Sequence, residues 1–137
     1  MKTTPPLSCI IIDDEPKAID ILTQLINQAG LAHQITSHSE LTAAKLAIVK
    51  DSPDVIFLDI HMPHKSGIDF HDELRAIGIK SSIVFVTAYD QYAIQALKRH
   101  AYDYLVKPVD YEELVECLSR LHTDVNTQKL KDQAPIR

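Results

Sequence analysis

The chain contains no tryptophan, only three glycines and only two cysteines among its 137 residues. Gly30, Gly67 and Gly78 are scattered, so no glycine-rich loop is available to cradle a nucleotide phosphate. Cys9 and Cys117 lie far apart in apolar surroundings, which excludes a disulfide-stapled scaffold or a cysteine metal pair. They read as small buried hydrophobes in a reducing compartment. No stretch approaches the ~20 apolar residues of a membrane span. Residues 1–6 lack the apolar centre of a signal peptide, and the expected address is the cytoplasm. Basic charge is short as well: 14 Lys and Arg stand against 19 Asp and Glu, for a net charge of -5. A duplex-DNA binder presents a basic face, so this chain is not expected to bind nucleic acid directly, nor a membrane.

What the chain does have is a globular balance, 45% hydrophobic and 24% charged residues, at a length typical of one domain. After a polar lead over residues 1–6, Leu7 to Ile12 form a nearly continuous apolar run suited to a strand buried on both faces. Pro16 fits the first turn of a helix, and Ala18, Ile19, Leu22, Leu25, Ile26 and Ala29 recur at helical spacing until Gly30 stops it. The same alternation follows four more times. Strands are expected at 33–38, 54–58, 82–86 and 102–106. Helices are expected around Leu41–Ile48, Ile68–Ile77, Tyr92–Arg99 and Leu114–Leu121. Residues 123–137 read as a polar tail, a linker or a fraying helix end. Five strands alternating with five helices predict an α/β fold, a flavodoxin-like doubly wound parallel sheet in the order 2-1-3-4-5. In such sheets ligands bind outside the carboxyl ends of the strands.

Those ends carry chemistry. Asp13, Asp14 and Glu15 follow the first strand, Asp59 the third, Thr87 the fourth and Lys107 the fifth. Clustered carboxylates repel one another unless a cation relieves them, and a hard oxygen-seeking ion such as Mg²⁺ is suited to that task. Acids, a divalent metal, a lysine and a hydroxyl together suit a phosphoryl group in transit. With no Ser or Cys elbow present, a carboxylate is the expected nucleophile, and Asp59 is best placed. Pro63 and Gly67 then shape a tight loop beyond it.

The segments IIIDDEP, VIFLDIHMP followed by GID, FVTAYD and AYDYLVKPV, in this order over residues 7–122, resemble the receiver domain of two-component response regulators. The wording from Thr87 to Val109 is most similar to receivers of the LytTR class. The resemblance implies that Asp59 accepts a phosphoryl group from the phosphohistidine of a sensor kinase. It implies Mg²⁺ held by Asp14 and Asp59, by the backbone carbonyl of His61 and, through water, by Asp13. Lys107 would pair with phosphoryl oxygens, Thr87 would be the switch hydroxyl, and Tyr104 the switch aromatic. Met62, Ala88 and Tyr89 would form the rim of the site, with His61 and Tyr89 at its mouth tuning phosphoryl lifetime. The Lys107–Pro108 peptide would be cis. The output would be association, as a homodimer through the fourth helix, fifth strand and fifth helix. The resemblance also implies a DNA-binding LytTR domain beyond the receiver, none of which lies in these residues.

Three other readings compete. A Mg²⁺-dependent phosphatase with an aspartyl nucleophile would want Asp-x-Asp after the first strand, where this chain has adjacent Asp13 and Asp14. A flavodoxin-like cofactor carrier would want a phosphate loop where this chain has three acids. A transition-metal site at His61, His64 and His71 has only loose spacing, and those histidines are expected at the surface or behind the site.

Overall fold

Six residues, Leu-Ser-Cys-Ile-Ile-Ile, form β1 (Leu7–Ile12), an interior strand of the sheet. The computed structural model describes residues 5–132, so residues 1–4 of the expected lead and 133–137 of the expected tail lie outside it. The elements alternate strictly: α1 (Pro16–Ala29), β2 (Ala32–His38), α2 (Leu41–Asp51), β3 (Val55–Leu58), α3 (Gly67–Ala76), β4 (Ser82–Thr87), α4 (Ala93–Lys98), β5 (Asp103–Val106) and α5 (Tyr111–Asp132). All pairings are parallel, in the order β2-β1-β3-β4-β5, which is the flavodoxin-like arrangement read from the sequence. Among the described residues no helix is long and apolar enough to cross a membrane.

Strand side chains alternate between faces, and the two faces build two cores. Cys9, Ile11, Val55, Phe57, Val84 and Val86 pack beneath α1 and α5. Ile10, Ile12, Ile56, Leu58, Ile83 and Phe85 pack beneath α2, α3 and α4. Both cysteines are buried and free. Burial pushes the Cys9 thiol up to about 12, and the Cys117 thiol is also raised, so neither is a reactive thiolate.

Register sets the site. Ile12 pairs with Leu58, Leu58 with Phe85, and Thr87 with Val106. The residues that end or follow these strands therefore share one edge. The loop leaving β3 is pinned by Gly67, whose amide donates to the Ile60 carbonyl at 2.7 Å. A Cβ on Gly67 would overlap the Asp59 carbonyl oxygen and lie 2.9 Å from the Ile60 Cα. Gly30 closes α1 in the left-handed region at φ 74°, and the Lys107–Pro108 peptide is cis.

Three features go beyond the sequence reading. First, the residues from 123, expected as a polar tail, a linker or a fraying helix end, continue α5 as far as Asp132. Tertiary partners hold this polar extension. The Tyr102 hydroxyl donates to Asp124 at 2.5 Å, Lys129 pairs with Asp54 at 3.1 Å, and the Asn126 amide donates to the Pro5 carbonyl at 3.2 Å. Second, of the two places expected for His71, at the surface or behind the site, the surface is excluded, since it is 2% exposed. Its Nδ1 lies 3.1 Å from Asp72, and its Nε2 has no partner. Third, Arg99 donates to both Asp72 oxygens at 2.9 and 3.1 Å and so ties α4 to α3.

Two outcomes follow. Gly67→Ala must displace backbone next to Asp59, and overpacking of this kind costs ~1–3 kcal/mol. A lowered melting temperature in thermal unfolding is the expected result. Burial lowers the pKa of His71 below its ordinary value of 6.5. The unfolded chain therefore binds the proton first, and this residue's contribution to stability is present above pH ~6.5 and lost as pH falls. His71→Phe should narrow the difference in melting temperature between about pH 7.5 and about pH 5.5 relative to the wild type.

Candidate functional site

Asp13 and Asp14 leave β1, and Asp59 leaves β3, on adjacent paired strands. One carboxylate oxygen from each lies within 4.8 Å of the others. Asp13 and Asp59 are buried, at 4% and 6% exposure, while Asp14 is open to solvent. Lys107, at the end of β5, reaches across: its Nζ lies 2.5 Å from Asp13 Oδ2 and 3.1 Å from Asp59 Oδ2. The Glu15 amide donates to Asp13 at 2.9 Å and the His61 amide to Asp59 at 3.3 Å. Each buried carboxylate is thus held by one backbone donor and a share of one ammonium.

The electrostatics reflect crowding. Burial raises the Asp13 carboxyl above its ordinary range, and the bonds from Lys107 and the Glu15 amide recover only part of that shift, while the charge on Asp59 adds to it. Burial pulls Lys107 down, but its bonds to Asp13 and Asp59 outweigh this and leave its pKa raised. The ammonium therefore stays charged. Three carboxylates against one lysine leave an uncompensated negative charge of two when all are ionised.

Thr87 closes β4 with its side chain fully buried and its hydroxyl unpartnered. Leaving a buried hydroxyl unpaired costs ~1–3 kcal/mol, so this donor is unsatisfied in the fold as it stands. The Thr87 carbonyl accepts from the Lys107 amide at 2.8 Å, fixing β4 and β5 to each other beside the acids. Ala88 and Tyr89 follow and are exposed. Tyr104 on β5 is half-buried, and its hydroxyl donates to the Tyr89 carbonyl.

The residues expected from the sequence thus come together, with adjustments. Met62, expected on the rim, is buried at 8% exposure within the core under α3. His61 is exposed and lies over Tyr89, with ring centroids 4.1 Å apart. Tyr92, half-buried against the core, also meets His61 edge-on at 5.4 Å and Tyr89 at 6.5 Å. The three-residue spacing of Tyr89 and Tyr92 ahead of a short helix was the available signal. His61, His64 and His71 do not converge; the acid triad is the one group of potential metal ligands among the described residues. Its donors are all carboxylate oxygens, two of them buried, and this set fits a hard divalent cation of the Mg²⁺ type rather than a thiolate- or imidazole-seeking metal.

Comparison with known proteins places this geometry in context. The response regulator receiver domain family matches residues 9–119. An uncharacterized response regulatory protein of Yersinia pestis is 41% identical over 119 residues, covering 87% of this chain and 50% of that protein. The transcriptional regulatory protein BtsR of Escherichia coli is 37% identical, covering 89% and 51%. The sensory transduction protein LytT of Enterococcus faecalis is 33% identical, covering 81% and 46%. The chain spans about half the length of these curated relatives. Among solved structures, response regulator TrrA of Thermotoga maritima in complex with Mg(2+)-BeF superposes with a TM-score of 0.75 at 27% identity, covering 84% of this chain and 98% of that one. With its parallel five-stranded sheet and with strand-end acids beside a lysine and a threonine, the chain belongs to the response regulator receiver domain family.

Proposed function

We propose that Asp59 is the phosphoryl acceptor of a two-component switch, supplied by the phosphohistidine of a sensor histidine kinase. The observation that carries this reading is the gathering of Asp13, Asp14 and Asp59 within 4.8 Å beside Lys107. In the transfer, an Asp59 oxygen forms the bond to phosphorus as the phosphorus–nitrogen bond of the donor breaks, and the imidazole departs. Asp13, Asp14 and Asp59, with the His61 backbone, would hold a Mg²⁺ ion. When bound, that ion would neutralise charge on the carboxylates and the phosphoryl oxygens. Lys107, already on Asp59, pairs with the added phosphoryl oxygens, and the unpartnered Thr87 hydroxyl gains an acceptor. The acyl phosphate carries about two negative charges where the Asp59 carboxylate carried one.

The switch follows from what Thr87 and Tyr104 touch. Drawing Thr87 toward the phosphoryl group shifts the segment that carries the Tyr89 carbonyl, to which Tyr104 is bonded. The α4–β5–α5 face repacks as a two-state element biased by local charge. Ile94 and Leu97 on α4 and Val106 on β5 are 67%, 75% and 40% exposed there, an apolar surface suited to a second copy. The names of LytT and BtsR support a LytTR-class regulator of transcription, acting in the cytoplasm, in which DNA contact belongs to a further domain. The protein is then a phosphoacceptor, with slow self-dephosphorylation as its only turnover. A Mg²⁺-dependent phosphatase would instead release phosphate from esters repeatedly.

Incubation with Mg²⁺ and acetyl phosphate, read by intact mass, should add one phosphate to the wild type. Asp59→Asn, or chelation of the metal, should abolish the addition. Light scattering with BeF₃⁻ should show an increase in mass over the untreated protein. Phosphate on Asp59→Asn, or steady ester hydrolysis, would refute the assignment.

A further inference from the structure

His71 stands on α3, 2% exposed, with its ring 5.8 Å from the Phe85 ring on β4. Its Nδ1 lies 3.1 Å from Asp72 Oδ1. The same oxygen accepts from Arg99 Nε at 2.9 Å, and Arg99 also donates to the Gln95 carbonyl of α4 at 3.2 Å. One carboxylate oxygen of α3 thus serves both a buried imidazole and the guanidinium at the end of α4. That helix has few other anchors. It is six residues long, Ala96 is its buried residue, and Ile94 and Leu97 are exposed. The half-buried Tyr92 packs at its start. The charged groups acting on His71 are Asp72 and Arg75 of α3 and Arg99 of α4, while its neighbour on β4, Phe85, is uncharged.

We propose that His71 is a proton-operated latch: neutral, it lets the Asp72–Arg99 pair seat α4 on α3, and protonated, it drives the two helices apart. A carboxylate only accepts, so the neutral ring carries its proton on Nδ1 and leaves Nε2 as a bare lone pair. Nε2 is buried without a partner. A second proton would put an N–H and a full charge where nothing accepts them. It would also set a cation beside Arg99, competing for the oxygen that holds α4, with Arg75 adding to the repulsion. Parting α3 from α4 relieves both, because the ring then meets water and the two cations separate. Burial first, and then the two guanidiniums, hold the pKa of the seated ring below its ordinary 6.5 despite Asp72. Falling pH therefore favours the parted form, a local opening well short of unfolding. Because α4 belongs to the face proposed above to repack, the latch gives that face a second input. This consequence rests on the switch reading, whereas the latch itself rests on the contacts of His71, Asp72 and Arg99.

The experiment is amide hydrogen exchange on the unphosphorylated protein, corrected for the intrinsic pH dependence of exchange. It follows the Ala96, Arg99 and Ala101 amides, which are hydrogen-bonded within and just after α4, against amides of β1 and β3. A ring that titrates normally only in the parted form raises that form's population by about ten-fold between pH 7.5 and pH 5.5. The α4 amides should lose protection by that factor, and the β1 and β3 amides by much less. His71→Phe keeps a ring beside Phe85 without a titrating nitrogen and should make α4 protection flat across this range. His71→Leu repeats that arm should His71→Phe unfold. Arg99→Gln, which removes the clasp, should raise exchange of the α4 amides already at pH 7.5. Flat α4 protection in the wild type, an equal loss in β1 and β3, a pH effect that persists without His71, or unchanged exchange in Arg99→Gln overturns the latch. No phosphoryl donor enters the measurement, so its failure leaves Asp59 as acceptor, and failure of Asp59 to take phosphate leaves the latch.

Discussion

The Lys107 ammonium lies between two buried carboxylates, 2.5 Å from Asp13 and 3.1 Å from Asp59, and the arrangement of the whole site depends on it. Two acids brought out of water onto adjacent strands would otherwise repel, and one would take up a proton. The lysine reaches them because β5 joins β4, β4 joins β3, and β3 joins β1, all in parallel register. The parallel sense of every pairing puts the ammonium and the acids on one edge, and the strand order sets how far apart they lie along it. The fold is in this sense the device that brings charges 46 residues apart in sequence, Asp13 and Asp59, onto one cation supplied from residue 107.

One lysine does not complete the balance. Asp14 adds a third carboxylate from the solvent side, and the cluster remains two negative charges from neutrality. That deficit matches a divalent ion, and an all-oxygen donor set matches a hard one. The Thr87 hydroxyl at the end of β4 is a second unsatisfied group, buried and without a partner.

The sequence made the sheet and the site legible for a common reason. β1, β3 and β4 are buried on both faces, so their apolar runs stand out, and the residues that break those runs are the functional ones. Asp13, Asp59 and Thr87 were visible as polar residues at the ends of apolar strands. What was illegible depends on contacts between distant residues. The extension of α5 through Thr123–Asp132 has no apolar stripe to announce it; it is held by Tyr102, Asp54 and Pro5, none of them near in sequence. His71 looks like a surface histidine beside Asp72 and Glu73, yet α3 turns it inward against Phe85 at 5.8 Å. Met62 follows His61 into a loop but returns to the core. Tyr92 gives no sign of its edge-on contacts with His61 and Tyr89 until the two loops are folded together.

The account stands most directly on the charge deficit of the acid cluster. Calorimetric titration of Mg²⁺ into the wild type and into Asp14→Asn measures it without any phosphoryl donor. Asp14 is exposed and outside the Lys107 bridge, so its neutralisation leaves the fold intact. The account predicts one bound ion in the wild type and clearly weaker binding in the variant. Equal affinity in the two proteins, or no binding in the wild type, would contradict it.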